Sequence, residues 1–77
     1  MDVNPSLLSL PIGGRAQVKS LASTGSKRRR MLDLGFVSGS IVETLLKSPS
    51  GDPKAYLIKG TVIALREDDA KDIFIQL

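Results

Sequence analysis

The sequence predicts a mainly β fold: a small barrel of about five strands, with one short α-helix and one short helical turn. Three observations lead there. Runs rich in Val, Ile, Leu and Thr recur at short intervals, separated by Gly, Pro, Ser and Asp. A single stretch carries helical punctuation at both ends. The chain has 77 residues, enough for one thin-cored domain and too few for two.

Residues 1–6 hold Asn4 and Pro5 and read as a flexible N-terminus, leaving 7–77 as the domain. Gly13-Gly14 breaks the chain, and Arg15 to Lys19 alternates polar with small or apolar residues, as a half-buried strand does. The helix is expected at about Ser26–Leu34. Ser23, Thr24 or Ser26 can supply the N-cap oxygen, and Gly35 stands where a left-handed residue closes the C-terminus. Met31, Leu32 and Leu34 form its apolar arc; Arg29 and Asp33, four apart, can pair on the other side.

Val37-Ser38-Gly39-Ser40 reads as a tight turn with Gly39 at the positive-φ position, and Ile41–Lys47 as a strand. Ser48-Pro49-Ser50-Gly51-Asp52-Pro53 is dense turn chemistry, so Lys54–Lys59 should return as a hairpin partner. After Gly60 come a strand at Thr61–Arg66, a self-capped acidic turn at Glu67–Ala70 and a last strand at Ile73–Leu77. Val18, Leu34, Val42, Ile63, Leu65, Ile73 and Phe74 are the expected core. Gly35, Gly39 and Gly51 are expected turn residues.

Composition disfavours catalysis. With no His and no Cys there is neither a general base poised near neutral pH nor a thiol nucleophile, and no Gly-rich phosphate loop precedes a helix. No metal ligands are assigned. Glu67, Asp68, Asp69 and Asp72 could hold a divalent ion only weakly, because the spacing of an oxygen-ligand loop is missing. The opening residues lack a basic signal region and no segment is a membrane span, so a soluble cytoplasmic protein is expected, without membrane insertion. A thin core and β-rich chain leave self-association open.

The net charge of +3 is local. Lys27, Arg28, Arg29 and Arg30 are consecutive, and the other seven basic residues face eight acidic ones. Cations in the first turns of a helix oppose its dipole at about 0.3–1 kcal/mol each. Two readings follow: either their aliphatic stems shield the apolar arc, or an anionic partner surface offsets the repulsion. Nucleic acid is the weaker candidate partner, because Phe36, Tyr56 and Phe74 do not interleave with the basic run as stacking platforms would. Phe36 is read as core or as a semi-exposed contact.

Arg30-Met31-Leu32-Asp33-Leu34-Gly35-Phe36, followed by Gly39-Ser40, resembles a motif of the FeoA family (ferrous iron transport protein A). Three further blocks agree in order: Leu7 and Leu10 with Gly14; Ser48-Pro49-Ser50-Gly51-Asp52-Pro53; and Ile63-Ala64-Leu65-Arg66 through Ala70 to Ile73. Met31 stands for the usual Leu, Ser38 for a common Pro and Ser50 for a common Leu. The resemblance implies an SH3-like barrel, a non-enzymatic accessory of bacterial ferrous-iron uptake. It would dock on the cytoplasmic part of FeoB, a membrane transporter with a cytosolic GTP-binding domain. Lys27, Arg28, Arg29 and Phe36 are the expected contact residues. The alternatives are a metal-responsive SH3-like regulatory module and a small nucleic-acid-binding barrel.

Overall fold

A computed structural model describes residues 5–77. A 3₁₀ turn at Leu7–Ser9 leads into β1 (Arg15–Leu21), followed by α1 (Gly25–Leu34), β2 (Ile41–Lys47), β3 (Lys54–Ile58), β4 (Thr61–Leu65), α2 (Glu67–Ala70) and β5 (Ile73–Gln76). The strands form one antiparallel sheet of five in the order β4-β3-β2-β1-β5.

Alternation decides which side faces in. Ala16 and Val18 of β1, Val42 and Thr44 of β2, and Tyr56 and Ile58 of β3 are buried while most of their neighbours are open. Bulges between Val18 and Ser20 and between Thr44 and Leu46 interrupt the pairing and add local twist, which curls the sheet around its core. Leu65 of β4, Ile73 and Ile75 of β5, Met31 from α1, Phe36 just beyond it, Leu7, Leu10 and Ala70 complete the buried cluster. Leu34 and Ile63 pack against it only in part. Phe74 is half-buried, flanked in sequence by the buried Ile73 and Ile75, so the expectation that it lies in the core is corrected. Alternation turns it to the opposite face.

The turn after the first apolar segment is held by close approach. A Cβ on Gly14 would lie 2.9 Å from Leu10 Cδ1 and 2.9 Å from the Pro11 carbonyl oxygen. That room lets the Gly13 N–H donate to Thr44 O (2.7 Å) and the Thr44 N–H donate to Gly14 O (3.0 Å). Thr44, polar and fully buried, gives its own hydroxyl to Leu10 O at 3.4 Å.

Among the described residues no ladder joins β4 to β5, so the sheet does not close strand to strand. The chain between those edge strands runs through α2, which packs against the 3₁₀ turn. Beyond β5, Pro5 accepts from the Ile75 N–H (2.9 Å) and Ser6 bridges to Phe74. Residues 1–4 of the segment read as flexible lie outside the described residues; Pro5 and Ser6 are tied to the sheet.

Candidate interaction surface

The basic run lies where α1 meets α2. The helix starts one residue earlier than expected, at Gly25, and Thr24 occupies the N-cap position without a side-chain cap bond. Ser23, another expected cap, is buried and its hydroxyl has no partner among the described residues. Both the exposed N–H groups of the first turn and the cations beside them therefore call for negative charge.

That charge comes from within the chain. Lys27 Nζ lies 3.5 Å from Asp69 Oδ1 and 3.6 Å from Asp72 Oδ2, and it donates to the Asp68 carbonyl at 2.9 Å. Arg30 Nη2 reaches Asp69 Oδ2 at 3.1 Å. Lys27 and Arg30 are three apart, so they share a helix face, and that face is turned to α2. The offset expected from a partner is thus partly intramolecular, and Lys27 is committed to the fold.

The acidic turn does not cap itself. Its N-cap residue, Arg66, offers no side-chain bond. Instead the Glu67 N–H donates to Asp52 Oδ1 at 2.9 Å, from the turn between β2 and β3. That turn is braced by Ser50, whose hydroxyl donates to Asp52 O at 3.0 Å.

What remains open on α1 is Arg28, Arg29 and Leu32. Arg28 Nη1 donates to Leu21 O at 3.3 Å, leaving most of its guanidinium exposed. Arg29 is exposed and, among the described residues, has no ion-pair partner; the expected pair with Asp33 does not form. Arg28 and Leu32, one helical turn apart, line a shallow groove of about 190 Å³ against β1, with Lys19, Ser20 and Ser38 on its walls. Its charged lining residues, Lys19 and Arg28, are both basic.

Phe36 is corrected as a contact residue: it is fully buried. Gly35 closes α1 at φ 111°, and the chain then turns inward, so the ring enters the core. Gly39 and Gly51 adopt φ 93° and 91°, in turns on either side of β2. Among the described residues no group of three or more His, Cys, Asp or Glu converges as metal ligands would, and no helix is long and apolar enough to cross a membrane.

Comparison with known proteins gives this surface a context. The model of the FeoA domain matches residues 6–77. A curated Porphyromonas gingivalis protein, an Fe(2+) transport protein A/Fe(2+) transporter FeoB fusion, is 32% identical over 71 residues. The match takes in 92% of this chain and 8% of the relative, so the chain spans a small part of the curated protein it matches. Among solved structures, the FeoA protein of Chlorobium tepidum is 35% identical with a TM-score of 0.87, over 94% of this chain and 69% of that one. Stenotrophomonas maltophilia FeoA, an SH3 domain protein solved with zinc, is 32% identical with a TM-score of 0.83, over 92% and 88% of the two chains. With the family model matching nearly all of the described sheet and both helices, the chain belongs to the FeoA family and its barrel is SH3-like.

Proposed function

We propose that this chain is a non-enzymatic accessory of bacterial ferrous-iron uptake that docks, in the cytoplasm, on the cytosolic part of a FeoB-type transporter. The observation that carries the reading is the Porphyromonas gingivalis relative, whose name joins the two partners in one polypeptide. Fusion holds a module at high effective concentration near its partner, which is useful when the separate contact is modest. The Stenotrophomonas maltophilia homologue, proposed as an activating factor of ferrous iron transport, points the same way.

Arg28 and Arg29 are the docking cations, with Leu32 as the apolar contact between helix and groove. Lys27 supports them by fastening α1 to α2 and does not itself meet the partner. Reversal of both charges, Arg28→Glu with Arg29→Glu, should weaken binding to the transporter's cytosolic domain at least about tenfold, with the melting temperature preserved. Unchanged affinity in a folded double variant would remove this face from the mechanism.

A further inference from the structure

At the open end of the β3–β4 hairpin lies a cavity of about 260 Å³ that shares no lining residue with the groove beside α1. Lys54 and Tyr56 stand two apart on β3 and so point to the same face, and Leu65 pairs with Lys54 across the hairpin. Leu8 of the 3₁₀ turn, Asp52 of the β2–β3 turn and Glu67 of α2 complete the walls.

Tyr56 is fully buried, and its hydroxyl has no hydrogen-bond partner among the described residues. Buried polar groups in folded proteins are nearly always paired, so a lone phenol on a cavity wall points to a missing partner. The charge of Asp52 reaches the phenol and opposes its ionisation, yet no hydrogen bond joins the two. Asp52 spends Oδ1 on the Glu67 N–H at 2.9 Å, which leaves Oδ2 to accept from something else. Two carboxylates, Asp52 and Glu67, outnumber the single ammonium of Lys54 on these walls. None of the three has an ion-pair partner among the described residues.

A matching occupant is a cation that donates to the Asp52 carboxylate and to the Tyr56 oxygen at once. A metal ion is a poor match, because two carboxylates and a neutral phenol supply too few ligands and no third acidic group converges among the described residues. An ammonium is a compact, strongly hydrated point charge and gains little from apolar walls. A guanidinium is planar and weakly hydrated, carries five donors in one plane, and can lay its faces against Leu8 and Leu65. We propose that this cavity binds a guanidinium group, with Asp52, Glu67 and the Tyr56 oxygen accepting its N–H groups. Lys54, on a long flexible stem, carries its charge out to solvent as the cation enters. Either a small molecule or the arginine side chain of a protein can bring that group.

Binding is tested on the isolated protein, with no transporter domain present, so its outcome is separate from the docking reading. Methylguanidinium chloride at millimolar concentrations, followed by NMR, should shift the Tyr56 ring protons and the Glu67 amide, whose hydrogen bond reports on Asp52. Sodium chloride at matched ionic strength should leave both signals in place, and methylammonium chloride should bind at least about threefold more weakly. Asp52→Asn keeps an acceptor for the Glu67 N–H and should weaken binding about tenfold. Glu67→Gln, at an exposed side chain that the fold does not need, should weaken it in the same direction, and Lys54→Gln should tighten it. A blocked Gly-Arg-Gly peptide separates the two sources: tighter binding than methylguanidinium assigns the site to a protein's arginine, weaker binding to a small molecule. Signals that stay put with methylguanidinium, or move equally with sodium chloride, overturn the proposal. So does an affinity unchanged in both Asp52→Asn and Glu67→Gln.

Discussion

The ammonium of Lys27 lies between Asp69 and Asp72, at 3.5 and 3.6 Å, and this contact fastens the first turn of α1 to α2. Asp69 also takes Arg30, so one carboxylate serves two cations. Pairs this exposed contribute little singly, about 0–1 kcal/mol, but they share a centre. Asp69→Asn should therefore lower stability by roughly 1 kcal/mol at low salt, and by less at high salt. Urea unfolding at two ionic strengths measures it. A loss independent of salt would mean that packing, not charge, holds the two helices.

Phe36 is a core residue beside a surface motif, and mutational data can mistake one for the other. Phe36→Ala should cost about 3–5 kcal/mol. A domain of this size is marginal to begin with, so the variant should be largely unfolded and fail to bind for that reason. Circular dichroism before any binding assay separates the two explanations.

Gly35→Ala should destabilise by about 1 kcal/mol or more. The substitution forces a Cβ onto a residue at φ 111°, within 3.4 Å of Lys59 Cδ. A thermal melt measures the loss, and an unchanged melting temperature would mean that α1 closes without the left-handed residue.

Burial, aided by the charge of Asp52, pushes the Tyr56 phenol from its ordinary 10.0 up to about 12. Its hydroxyl is buried and has no hydrogen-bond partner among the described residues. An acid whose pKa is raised on folding stabilises the fold below its unfolded value, and that contribution is lost as pH climbs from about 10 to about 12. Melting temperature should fall over that window, and Tyr56→Phe should flatten the part of the fall due to the phenol. Tyr56 is the sole tyrosine and there is no tryptophan, so tyrosinate absorbance reports this one group. Titration near the ordinary value would contradict the burial.

The limits of β2 follow from composition alone, because Ser, Gly and Pro bracket the run on both sides, whereas α2 is marked by its acidic cluster Glu67-Asp68-Asp69. Phe74 could not be placed that way: apolar residues stand on both sides of it in β5, so the pattern carries no parity. Phe36 escaped for another reason. A residue following a left-handed cap points wherever the chain turns, and that direction is set by packing.

Lys27 and Asp69 are far apart in sequence, so local rules could flag cations at the wrong helix end but not name their partner. One signal was present. Lys27 and Arg30 share the three-residue spacing of Asp69 and Asp72, with opposite sign. Leu7 and Leu10 form part of the motif blocks, yet their place in the core needs the 3₁₀ turn to fold over the sheet.

Docking on the transporter through the open face of α1 can be followed residue by residue. Titrating isotopically labelled protein with the cytosolic GTP-binding domain of its own FeoB, followed by NMR, tests it most directly. Shifts should concentrate at Arg28, Arg29 and Leu32 and along the Lys19–Leu21 wall of the groove. Lys27 should be perturbed least among the basic run, because its charge is already matched by α2. A spectrum that does not change at saturating domain, or changes confined to β3 and β4, would contradict it.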